Sequence, residues 1–114
     1  MGTDKQADVL WVGNSWGANL ARIDTKTRAV SYVNLPNRQQ PYHVHVDSQH
    51  RPWTNLWGAD RVMRYDPKTQ RWTAFDLPTR GAEPRYISVH ENGKQMQVVL
   101  PYFRARKIAV MTLR

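Results

Sequence analysis

The 114-residue chain contains no cysteine, which excludes both a disulfide scaffold and a thiolate zinc site. No window sustains a helical period of apolar residues, so a helical bundle is excluded as well. Long hydrophobic runs are missing too. The opening stretch "MGTDKQADVLWVG" is polar, with no apolar segment of signal-peptide or membrane-span length, and the chain reads as having no transmembrane segment. None of this assigns a compartment. Acidic residues are few, 9 against 17 Lys and Arg, giving a formal charge of +8. Leucine is scarce, whereas Trp and Tyr number 5 each. That balance favours thin, aromatic-stapled β layers over a thick helical core.

A repeat organises what is present. "WGANLARIDTKTRAVSYVNLP" (16–36) and "WGADRVMRYDPKTQRWTAFDLP" (57–78) share a frame, with Asp24, Thr27 and Leu35 answered by Asp66, Thr69 and Leu77. Pro41 and Val44 are answered by Pro84 and Ile87, and a third unit opens at "EPRYISVHENG". Within each unit, short runs rich in β-branched and aromatic residues alternate with turn signals such as Asp66-Pro67-Lys68-Thr69 and Glu91-Asn92-Gly93. About four short strands per unit of roughly 40–45 residues is the pattern of a β-propeller blade.

The predicted fold is therefore all-β: about two and a half four-stranded propeller blades forming an open segment. Residues 1–7 read as a polar flank and 8–114 as one propeller segment, with blade repeats near 8–47, 48–90 and 91–114. A propeller ring has four or more blades. The expected partners are accordingly further blades, from a longer chain or from self-association.

The frame P-x-x-V-x-V-D, followed by W-G-A-N/D, R-x-D and L-P, resembles the streptogramin lyase family, the virginiamycin B lyase-like β-propellers, over nearly the whole chain. "YDPKT", "FDLPTRG" and the closing "LPYFRARKIA" carry the same resemblance. It implies a seven-bladed parent, often exported, of which this chain is similar to the C-terminal blades. The implied activity is magnesium-dependent opening of a cyclic depsipeptide by elimination at its ester, with a base removing a proton α to a carbonyl. The family motif supplies histidine in Pro-His-x-Ile and glutamate in Trp-Phe-x-Glu. In this sequence those positions hold Tyr42, Arg85 and Leu56. Tyrosine is a poor base at neutral pH, arginine cannot act as one, and leucine has no polar chemistry.

The resemblance and the replacements together point to a ligand-binding or scaffold module with degenerate lyase residues. The alternative is an active streptogramin lyase that retains magnesium. A basic nucleic-acid or anionic-surface binder is a third reading, which the spread of the basic residues along the chain disfavours. Tyr42, His43, Asn55, Trp57, Arg85, Tyr86 and Tyr102 fall at blade openings and first strands, and are the expected contacts for a small-molecule or anionic ligand. His43 and His45 share one strand face and form a candidate two-histidine metal edge. Arg22 and Arg64 recur with the repeat, which assigns them to blade architecture. Among the tryptophans, Trp16 and Trp57 stand at strand connections and are the two least suited to a core.

Overall fold

In the computed structural model, which describes residues 1–113, eleven strands form three antiparallel sheets around a single short 3₁₀ turn at Pro36–Arg38. The first sheet takes β1 (Gly2–Asp4), β2 (Val9–Asn14), β3 (Asn19–Asp24) and β4 (Val30–Asn34) in chain order. The second takes β5 (Pro41–Val46), β6 (Pro52–Leu56), β7 (Arg61–Asp66) and β8 (Arg71–Asp76). The third has β9 (Ser88–Asn92), β10 (Gln95–Pro101) and β11 (Ile108–Leu113). Each sheet is a meander with open edges. The first strands β1, β5 and β9 lie side by side, as the innermost strands of propeller blades do. No helix among the described residues is long and apolar enough to cross a membrane.

The sheets are offset from the units read in the sequence. Residues 1–7 contain β1, whose Gly2, Thr3 and Asp4 pair with Trp11, Leu10 and Val9. Gly2 and Asp4 disfavour a strand and only Thr3 favours one; the ladder with β2 makes the three a strand. Pro41–Val46 likewise opens the second sheet instead of closing the first unit. A repeat has no marked beginning in sequence, and only hydrogen bonding decides which strand starts a sheet.

The core lies between sheets and not within one. Val9, Trp11, Leu20 and Leu35 of the first sheet region pack against Val44, Leu56, Met63 and Tyr65 of the second. A second cluster joins Trp53 and Val62 to Ala82, Ile87, Val89, Val98, Leu100 and Tyr102. Trp11 and Trp53 are fully buried, and burying such side chains removes the most apolar area per residue from water. Arg64 lies over Trp53 and Phe75 at 5.2 and 5.4 Å, covering the ring faces at this seam.

Turn chemistry separates the two rims. At the rim carrying the first-to-second and third-to-fourth strand connections, aspartate carboxylates fold back on the turn. Asp4 accepts from Ala7 N–H, Asp24 from Lys26 and Thr27, Asp47 from Gln49 and Arg51, and Asp66 from Lys68. The two backbone bonds hold the Asp24 carboxyl below its ordinary pKa. The opposite rim, which carries the second-to-third strand connections and the sheet-to-sheet crossings, has no such row of aspartates. That rim holds the candidate site.

Candidate functional site

Two backbone irregularities shape this rim. Val44 pairs with Thr54, but Pro41 pairs with Leu56, so one extra residue sits in β5. The third sheet repeats the irregularity: Ser88 pairs with Val99, whereas the bridge before it joins Pro84 to Tyr102. Such bulges release residues from the ladder and re-aim their side chains. The released residues are Tyr42 and His43 in one sheet, and Arg85 and Tyr86 in the next.

Asn55 fixes both bulges from below. It is 0% exposed; its Oδ1 accepts the His43 N–H at 3.1 Å, and its Nδ2 donates to the Pro84 carbonyl of the neighbouring sheet. Both ends of the amide are committed to backbone. The structure therefore places Asn55 under the site and not on its surface. Tyr102 is also beneath it, 7% exposed, with a hydroxyl that has no hydrogen-bond partner among the described residues.

Above these residues the exposed aromatics form a ladder. Tyr42 stacks on Trp57 with centroids 5.4 Å apart and planes at 25°. The Arg85 guanidinium lies 5.2 Å from the Trp57 centroid and 3.9 Å from that of Phe103. Trp16, 89% exposed, faces the Tyr42–Trp57 stack across an open cleft of about 250 Å³ that Ser15 and Gln40 complete. Trp16, Trp57 and Phe103 each stand in the second-to-third strand connection of their own sheet. One aromatic per blade thus projects at the same place, and the bulge residues Tyr42 and Arg85 fill the gaps between blades.

His43 and His45 take a different direction. They line a shallow groove of about 240 Å³ along the innermost strands, with Thr3, Val46 and Tyr86. His43 stacks on Tyr86 at 4.4 Å. Burial lowers the pKa of both rings; the chain's amino terminus and His45 add to this at His43, and His90 adds at His45 against the opposing pull of Asp47 and Glu91. Among the described residues no group of three or more His, Asp or Glu side chains comes together to hold a metal ion.

The structure thus brings together Tyr42, Trp57 and Arg85, sets His43 and Tyr86 beside them in the inner groove, and holds Asn55 and Tyr102 underneath. Phe103 and Gln40 are additions that sequence reading passed over. Phe103 was detectable, because it follows Tyr102 where the earlier units place Trp16 and Trp57.

No protein-family model matches the chain, and no curated protein matches it. Among solved structures, virginiamycin B lyase from Staphylococcus aureus superposes with a TM-score of 0.80 at 16% identity, over 98% of this chain and 39% of that one. The fold is that of the virginiamycin B lyase propellers. A streptogramin B lyase structure matches with a TM-score of 0.68 at 20% identity, over 93% of this chain and 37% of that one. A catalytically inactive histidine-to-alanine variant of the S. aureus lyase, solved with quinupristin, gives 0.66 at 17% identity over 96% and 43%. This chain therefore spans about two fifths of the length of the lyase structures it matches. The lyase-type fold accounts for the three sheets and their shared inner edge.

Proposed function

We propose that the chain is a ligand-binding module built on lyase-type propeller blades, using its aromatic rim as the binding surface and lacking lyase chemistry. The observation that carries this reading is the ladder of Trp16, Tyr42, Trp57 and Phe103 with Arg85 set into it. Large aromatic faces left open to water are held in place by bulges, and two bulge-borne residues stack on side chains from connecting loops. Rings prearranged in this way offer stacking area at little ordering cost. The open faces of the outer sheets are met by further blades, from a longer chain or from other copies of this one.

The test is a titration with 2-naphthamide, a neutral planar probe, read by tryptophan fluorescence. Binding that is lost in Trp57→Ala, with the fold retained by circular dichroism, supports the reading. Equal binding by wild type and Trp57→Ala contradicts it.

An active lyase is the second reading, favoured by the likeness to the S. aureus enzyme. In that enzyme a histidine-to-alanine replacement gives a catalytically inactive protein. Here the resembled histidine positions are Tyr42 and Arg85, and the resembled glutamate is the fully buried Leu56. The residues present do not fit magnesium, which takes oxygen ligands. The rim carboxylates are already engaged: Asp60 accepts the Gly81 and Ala82 N–H groups, Asp76 accepts from Arg61, and Glu83 accepts from Arg104. Incubation with quinupristin and magnesium is expected to leave the ring intact. Elimination would yield an isomer of unchanged mass with a new carboxylate and double bond, so chromatography is the readout, and its appearance would restore the lyase reading.

A further inference from the structure

The rim is electrostatically one-sided, and its one stacked cation has no counter-charge. Arg85 makes no ion pair among the described residues, although its guanidinium is pinned between two aromatic rings. The rings hold the plane of the fork and leave its N–H donors without an acidic acceptor. Arg38, Arg80, Arg104, Arg106 and Lys107 lie in the connections of the same rim. Against them stand Asp60 and Glu83 in those connections and Asp76 at the end of β8, which is paired with Arg61. Asp60 is occupied by two backbone N–H groups, and Glu83 by Arg104. The aspartates that neutralise the other rim are folded into its turns. A cleft walled by Trp16, Tyr42 and Trp57 thus opens beside an unpaired, stacked guanidinium in a positive field.

We propose that the rim selects planar aromatic ligands bearing an oxyanion, with the ring in the Trp16–Tyr42–Trp57 cleft and the carboxylate or phosphate on Arg85. This deepens the rim-binding reading and rests on it. An arginine stacked on an aromatic face is a preorganised partner for a carboxylate, because less rotamer freedom is lost on forming each bond. Charge-assisted hydrogen bonds contribute more than neutral ones, and one such contact corresponds to about a tenfold preference. Arg106 and Lys107 add long-range attraction, which salt screens.

The experiment compares 2-naphthoate with 2-naphthamide, which present the same ring with and without a charge. At low salt 2-naphthoate is expected to bind about tenfold more tightly. The preference should shrink as salt is raised, and should largely vanish in Arg85→Met. Arg85→Lys, which keeps the charge but loses the planar fork, should retain part of it. Circular dichroism and the thermal midpoint of each variant report whether the fold is kept. Equal affinities for the two probes in wild type would overturn the oxyanion selection while leaving the rim as a binding surface. A preference that survives Arg85→Met would overturn the assignment to Arg85. Failure of both probes to bind, or indifference to Trp57→Ala, would overturn the rim reading itself.

Discussion

At the scale of single residues, the site depends on side chains that never touch solvent. Asn55 satisfies one N–H in its own sheet and one carbonyl in the next, so Asn55→Ala leaves both His43 N–H and Pro84 C=O without their partner. The expected loss is about 1–3 kcal/mol in a urea melt, the usual penalty for orphaning buried polar groups. Because the same amide sets the bulges, probe binding at the rim should weaken as well. A variant with unchanged stability and binding would remove Asn55 from this role. Gly13 matters for a different reason. A Cβ there would meet the Tyr42 carbonyl oxygen at 2.8 Å, so Gly13→Ala forces the first sheet off the strand that carries the bulge. Loss of thermal stability together with altered Tyr42–Trp57 stacking, read by near-ultraviolet circular dichroism, is the expected outcome.

At the scale of elements, β5 and the start of the third sheet carry the same one-residue shift, and every aspartate turn of the opposite rim ends in a left-handed residue. Asp8, Arg28, His50 and Gln70 all have φ between 53° and 64°. Gln70→Gly is expected to raise stability by up to about 1 kcal/mol, since only glycine adopts that conformation freely. β5 also makes the fold sensitive to acid. His43 and His45 have folded pKa values below their unfolded ones, so between the two values the unfolded chain binds the protons and the native state does not. Stability should therefore fall as pH drops below the ordinary histidine value, and thermal midpoints from pH 7.5 down to 5 should show it. His45→Gln should flatten that profile.

Strand content and blade period were legible in the sequence because alternation and turn residues are local. The bulges were not, since a bulge is a mismatch between two strands and neither strand records it alone. The prolines that open the second and third sheets, Pro41 and Pro84, marked the place without revealing the extra residue. The aromatic ladder was half legible. Trp16 and Trp57 repeat beside Gly-Ala, but the stacking of Arg85 on Trp57 joins the opening of one sheet to a connection of its neighbour, which no repeat displays. Asn55 is polar and near the site in sequence, so composition alone assigned it to the surface it supports from within.

At the scale of the whole molecule, the sheets present a basic aromatic rim, an aspartate-turn rim and two open outer faces. On the first sheet, Leu10, Ile23 and Val30 are paired neighbours and so share one face; Val30 is exposed, as is Tyr32 beside Ala21. Further blades, in a longer chain or from other copies of this one, are expected to cover this face, and self-association of this chain is open to test. Light scattering should return multiples of the chain mass, and Val30→Lys with Tyr32→Glu should reduce them; a monomer at every concentration contradicts self-association. The rim remains the functional claim, and the indole signals address it most directly. The chain has 5 tryptophans, of which Trp16 and Trp57 line the cleft whereas Trp11 and Trp53 are buried between sheets. In a two-dimensional nitrogen–proton spectrum titrated with 2-naphthoate, the Trp16 and Trp57 indole signals should shift and saturate together while those of Trp11 and Trp53 stay in place. Shifts confined to other tryptophans, or none at saturating probe, would contradict the account.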